Sequence, residues 1–156
     1  DGDYYGFLRR FTGKDYPCGD FLDTNGNKVG THQGAAAYTL GQRKGLGLAM
    51  GQPVYVCSKD MQQNTVTVGT EDALFHKELL ANDWFFFPFE TLKEPMEVEA
   101  KTRSRMAQQP ATVYPETNGF CRVVFHQPQR AITPGQAVVL YDGDVVVGGG
   151  TITQVL

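Results

Sequence analysis

Apolar and polar residues alternate with period two along much of this chain. In "PVYVCSKDMQQNTVTVGT", Val54 and Val56 fall on one face and Tyr55 and Cys57 on the other. Val66 and Val68 alternate in the same way with Thr65 and Thr67. Side chains that switch faces at every residue are the mark of a half-buried strand, so these read as two strands joined by the "KDMQQN" loop. "MEVEAKTRSR", "PATVYP", "FCRVVFH", "QAVVLYD" and "VVVGGGTITQV" read as further strands. Asn118-Gly119 and the "DGD" of Asp142 to Asp144 mark turns between them. Asn25-Gly26 accepts the positive φ of a tight turn, which predicts a hairpin over residues 20–32. Only two stretches read as helical. "FLRRF" reads as a helix end, and "HQGAAAYTLGQ" as a short helix stopped at Gly41 or Gly45.

Many short strands with regular turns point to a mainly β chain of barrels or sandwiches. The weakest seam is around "EDALFHKELLAN", between two strand-rich blocks, which divides the chain into 1–73 and 74–156. Its 156 residues allow one ordinary domain or two small ones. Apolar residues at 41% and aromatics at 12% supply a packed core. A net charge of -3 excludes binding of polyanions through bulk charge, so any nucleic-acid site must be a local patch. No apolar run is long enough to span a bilayer, so no membrane partner is expected. The chain opens "DGDYYGFLRR" without methionine and reads as an excised or processed segment. Cys18, Cys57 and Cys121, odd in number and widely spaced, suit a reducing cytoplasm.

Two stretches carry concentrated charge. Extended throughout, "MEVEAKTRSR" puts Met96, Val98, Ala100, Thr102 and Ser104 on one face, and Glu97, Glu99, Lys101, Arg103 and Arg105 on the other. Cations two residues apart, spaced by ~7 Å, match successive phosphates of a nucleic acid. They equally suit a solvated edge strand that discourages sheet pairing. In "GQRKGLGL", glycines around Gln42, Arg43 and Lys44 let backbone amides approach a phosphate. The same residues suit a helix-ending turn whose cations offset the helix dipole. The loop is neither a Walker loop nor a dinucleotide fingerprint. His32, His76 and His126 are scattered, with no metal-ligand spacing. Cys57 and Cys121 lie within strand patterns, and Cys18 follows a proline in "YPCGD", at a turn. The glycines of "VVVGGGTI" indicate a bulge or close backbone packing. These residues describe a binding or scaffolding segment.

"GNKVGTHQGAAAYTLGQRKGLGL" resembles the central domain of tRNA-specific 2-thiouridylases. "NDWFFF", "AKTRSR" and "PQRAITPGQAVVLYDGDVVVGGGTI" resemble their carboxy-terminal domain. The resemblance runs from about Phe7 to Ile152, in the same order, and the Gly-Gln-Arg-Lys-Gly-Leu-Gly and Thr-Pro-Gly-Gln blocks make it specific. It implies a small central β domain with one short helix, followed by a β-barrel of about six strands like the second domain of translation elongation factors. Family members adenylate C2 of the wobble uridine with ATP and Mg, then attack it with a cysteine persulfide. Their nucleotide loop and persulfide cysteine lie in segments this chain does not contain. The resemblance therefore implies no catalytic residue and no cofactor here. The implied partners are tRNA, the family's N-terminal pyrophosphatase-type domain and a sulfur-donor protein, in the cytoplasm.

By resemblance, the Arg-Tyr pair of the family's Lys-Thr-Arg-Tyr-Arg motif contacts tRNA. Here it reads Arg103-Ser104, which replaces a stacking ring with a hydroxyl. Gln136 of "TPGQ" matches a second contacting position. Lys101 and Arg105 join these from face geometry, while Gln42, Arg43 and Lys44 face either tRNA or a domain interface. The alternatives are a stand-alone RNA-binding or interaction barrel, and a thiol enzyme using Cys18.

Overall fold

The structure, a computed structural model, describes residues 17–156. The "FLRRF" helix end lies outside the described residues. The chain divides into two compact units, Asp1–Leu74 and Phe75–Leu156.

The first unit is a four-stranded sheet. Strands β1 (Gly19–Leu22) and β2 (Lys28–His32) form the predicted antiparallel hairpin. Its turn differs in detail from a two-residue loop. Gly26 takes φ +87°, and the Asp23 carboxylate accepts the amides of Asn25 and Asn27, both at 2.9 Å. Those bonds hold the Asp23 carboxyl below its ordinary pKa. Strands β3 (Tyr55–Asp60) and β4 (Thr65–Gly69) pair antiparallel, and β1 runs parallel to β4, giving the order β2-β1-β4-β3. The core collects Phe21, Val54, Val56, Val66, Val68 and Tyr38, so the alternating valines face inward as their spacing requires.

The helix expected over "HQGAAAYTLGQ" is only a 3-10 turn, Ala35–Ala37. Tertiary bonds claim the amides and carbonyls a helix would use. The amide of Gly34 donates to His32 Nδ1 at 2.9 Å and that of Ala35 to Asn64 Oδ1 at 2.9 Å. Gly41 and Gln42 exchange backbone bonds with Val56. Tyr38 is already extended, at φ -113° and ψ 147°. Helix propensity is a weak prior, and three alanines between Gly34 (φ +121°) and Gly41 (φ +86°) do not withstand that competition.

The second unit is a closed six-stranded barrel. Its strands are β5 (Phe75–Phe86), β6 (Met96–Lys101), β7 (Gln109–Pro115), β8 (Cys121–Arg130), β9 (Ala137–Asp142) and β10 (Val145–Val155), in the order β10-β5-β8-β7-β6-β9. Inward residues Leu79, Ala81, Val98, Ala111, Val123 and Leu140 fill the interior. The Asn118-Gly119 turn has positive φ at both central residues, +60° and +78°, with Phe120 N–H bonded to Thr117 C=O at 3.2 Å. That is the primed turn which Asn-Gly favours.

Two strand expectations need correction. The two units do divide within "EDALFHKELLAN", at Leu74 and Phe75, but no strand was expected there, and β5 begins inside it and runs for twelve residues. Its alternation is broken where Asp83, at φ +53°, bulges out. Inward residues Leu79 and Ala81 therefore give way to Trp84 and Phe86 packed on the core, a change of phase that conceals the period. Opposite the bulge, a Cβ on Gly150 would lie 2.8 Å from the Trp84 ring and 2.9 Å from Asn82 O. The glycine run thus marks close packing, as expected. The second correction concerns β6, which ends at Lys101 rather than continuing to Arg105. Residues 102–106 form a turn because Thr102 is buried and its amide points to Met106 Sδ at 3.2 Å.

Candidate nucleic-acid interface

The barrel register decides which loops meet. Lys101, the last residue of β6, pairs with Val139 of the antiparallel strand β9. The turn that leaves β6 and the loop that enters β9 therefore emerge side by side. The first carries Arg103, Ser104 and Arg105, all exposed, and the second ends in exposed Gln136. These residues do not form the flat, regularly spaced cationic face that an extended strand would have made. They sit on two adjacent loops instead.

The β8–β9 loop is held firmly. Strands β8 and β9 lie on opposite sides of the closed barrel, so residues 131–136 cross its end. Ile132 is buried in the barrel core and Ala131 is buried beside it, at φ +57°. Thr133, Pro134, Gly135 and Gln136 make a type II turn, with Gln136 N–H bonded to Thr133 C=O and Gly135 at φ +92°. Gly135 and Gln136 also exchange bonds with Ile152, at 2.8 and 2.9 Å. Proline and glycine in "TPGQ" are therefore the residues this turn demands, and they aim Gln136 from a fixed backbone.

The surrounding charge favours an anion. Of the seven lysines and arginines in residues 75–156, five lie at or near this end of their strands: Lys77, Lys101, Arg103, Arg105 and Arg130. The side chains of Arg103 and Arg105 make no hydrogen bond or ion pair with the described residues, so their donors face solvent. Lys101 is placed over the Tyr141 ring at 5.5 Å. Arg122 differs: Glu78 at 2.8 Å and Glu116 at 3.4 Å hold it, and it lies over Tyr114. It is a structural cation. Lys77 and Arg130 were missed in the sequence, because only the pairing of Phe75 with Arg130 brings them to this end.

In the first unit, Gln42 acts as a brace. Its side-chain oxygen accepts the Thr39 amide at 3.0 Å, and its nitrogen donates to Lys44 C=O at 2.9 Å. The brace presents Arg43 and Lys44, both exposed, on a loop with Gly45 at φ +78°. Lys59 is committed elsewhere, donating to Tyr38 C=O at 2.7 Å.

Two of the three thiols lie within strands. Burial pushes the Cys121 thiol up to about 11 and raises Cys57 as well, so neither supplies thiolate near neutrality. Cys18 is exposed, and its carbonyl accepts from Asn64 Nδ2 at 3.2 Å. Among the described residues no group of three His, Cys, Asp or Glu is placed to hold a metal ion. No helix among them is long and apolar enough to cross a membrane.

This pairing of a small sheet unit with a closed barrel defines a known class. The tRNA methyl transferase PRC-barrel domain matches residues 5–70, and the aminomethyltransferase beta-barrel domain matches residues 76–152. The chain belongs to the tRNA-specific 2-thiouridylase family, whose central and carboxy-terminal domains it represents. It is 51% identical over 152 residues to the tRNA-specific 2-thiouridylase MnmA of Acetivibrio thermocellus, covering 97% of this chain and 42% of that protein. Over 152 residues it is 47% identical to the enzyme of the same name from Clostridium acetobutylicum, covering 97% of this chain and 43% of that protein. It is 44% identical over 156 residues to the one from Clostridioides difficile, covering all of this chain and 43% of that protein. The chain therefore spans less than half the length of these relatives.

Proposed function

We propose that this chain is the tRNA-holding portion of a tRNA 2-thiouridylase. In that reading a separate pyrophosphatase-type domain adenylates the wobble uridine with ATP and Mg, and a cysteine persulfide, charged by a sulfur-donor protein, replaces its C2 oxygen. The segment described here performs neither step. It fixes the substrate while the chemistry proceeds elsewhere.

The observation that carries the proposal is the convergence of Lys101, at the end of β6, with Arg103, Ser104, Arg105 and Gln136 on the two adjacent loops at one end of the barrel. Each residue type has a role there. Guanidinium groups donate paired hydrogen bonds to phosphate oxygens, which positions a nucleic acid without reading its sequence. The Ser104 hydroxyl donates or accepts toward phosphate or a ribose 2′-OH, the group that distinguishes RNA from DNA. Gln136 offers a donor and an acceptor to a base edge or the backbone.

The test is tRNA binding by the Arg103→Ala and Arg105→Ala variants beside Lys93→Ala, a cation outside this end. The first two should weaken tRNA binding with melting temperature unchanged, because neither side chain packs in the core. Lys93→Ala should bind as the parent does. Unchanged affinity in both arginine variants would remove the assignment.

A further inference from the structure

The segment "NDWFFF" takes no part in the proposed tRNA site, yet it builds the barrel's most unusual surface. Phe85 and Phe87 are 56% and 69% exposed, and their rings meet edge to face at 5.4 Å. The Phe87 amide donates to Val147 C=O at 2.8 Å, which brings the start of β10 alongside. There Val145 and Val146 are 67% and 37% exposed. Phe85, Phe87 and Val146 thus share the outer surface, while Val145, paired with Asp142 and one residue out of phase with Val146, stands at the rim of the barrel. The sequence has arranged this. The bulge at Asp83 shifts the phase of β5 so that Trp84 and Phe86 pack on the core and Phe85 and Phe87 point outward. A Cβ on Gly149 would lie 3.1 Å from Val138 C=O, while the Phe85 ring covers the glycine at 3.6 and 3.7 Å. Bulges of this kind often re-aim side chains at functional surfaces.

Contiguous exposed apolar side chains on a soluble unit mark an interaction surface. The charges around this patch select the partner. Asp83 precedes it on β5, Glu90 follows it, and Asp142 and Asp144 flank Val145 in the β9–β10 turn, all four exposed. Lys93 is the cation that follows in the same β5–β6 connection. These four carboxylates outnumber the two cations, Lys93 and the Lys101 that lies over Tyr141 opposite Val146, which disfavours a phosphate ligand on the patch. A second copy docked patch to patch would bring two acidic rims together. We propose that the Phe85–Phe87–Val146 patch docks a protein surface with an apolar centre and a rim of lysine or arginine.

The experiment replaces Phe87 with p-benzoylphenylalanine in the protein as its own cells make it. Irradiation is followed by sequencing of the cross-linked peptides. The proposal expects cross-links to one protein surface bearing apolar residues beside lysine or arginine. It also expects at least a tenfold loss of that product when Asp142→Lys and Asp144→Lys are added, with Trp84 fluorescence of the folded barrel unchanged. Cross-linking to RNA, to Phe87 of a second copy, or to nothing would overturn it. So would a protein cross-link that survives the charge reversal.

Discussion

Replacing Ile132 with alanine should strongly destabilise the barrel, because Ile132 closes its end from a loop that would otherwise be surface chain. The residue is 2% exposed and belongs to the cluster containing Leu79, Phe125, Leu140 and Ile152. Ile→Ala removes three buried carbons, worth about 2.4 kcal/mol at about 0.8 kcal/mol for each. The unfilled space adds a cavity cost, placing the total at roughly 3–4 kcal/mol within the usual range for such changes. Relaxation is restricted, since Gly135 and Gln136 pin the same loop to Ile152. Urea unfolding followed by fluorescence reads the barrel alone, because Trp84 is the only tryptophan of the chain. With a slope of about 1–3 kcal/mol per molar, the midpoint should fall by at least ~1 M. Val145→Ala, at a 67% exposed position, is the control and should change stability by under ~0.5 kcal/mol. A loss below about 1 kcal/mol for Ile132→Ala would mean that the loop does not seal the barrel, and that Gln136 is not rigidly placed.

Three further outcomes follow from particular contacts. His32 is buried, with Nδ1 accepting from Gly34 N–H at 2.9 Å and Nε2–H donating to Asn64 C=O at 2.8 Å, so burial holds its pKa below the ordinary 6.5. The unfolded chain then binds the proton more readily, so stability present above pH 6.5 should fall as pH drops below it, seen as lower amide-exchange protection factors at Gly34 and Ala35; pH-independent protection factors would contradict this. Gly45→Val should lower the melting temperature more than Arg43→Ala, because φ +78° costs a β-branched residue about 1–2 kcal/mol while losing an exposed cation costs under ~0.5 kcal/mol; equal melting points would refute it. Gly150→Ala should destabilise the barrel and shift Trp84 emission, since the new methyl meets the indole at 2.8 Å; an unchanged spectrum and melting point would count against that packing.

Much of the strand content was legible because valine alternation and Asn-Gly turns are local signals. The hairpins around Gly26 and Gly119 needed no distant partner to be recognised. Strand β5 was hidden because a bulge at Asp83 reverses its inward phase, and the residue that permits the bulge, Gly150, is far away in sequence. The short helix failed for the opposite reason. "GAAAY" has helical propensity, but His32, Asn64 and Val56 bind its backbone in another geometry. At the candidate site the residue types were readable and their arrangement was not. Period-two reasoning carried Arg103 and Arg105 onto a strand face, whereas the buried Thr102 and Met106 turn the chain there. Only the pairing of Lys101 with Val139 brings those arginines beside Gln136, and only closure of the barrel adds Lys77 and Arg130 nearby.

If the chain holds tRNA as proposed, this barrel end meets tRNA phosphates. The direct measurement is the salt dependence of tRNA affinity for the parent chain and for the combined Lys101→Ala, Arg103→Ala and Arg105→Ala variant. Each phosphate neutralised contributes roughly 0.7–0.9 to the slope of log K against log salt. Three cations in contact therefore predict weaker binding and a slope shallower by about 2–3 in the variant, with Trp84-detected stability retained. Parent and variant sharing one affinity and one slope would contradict the account.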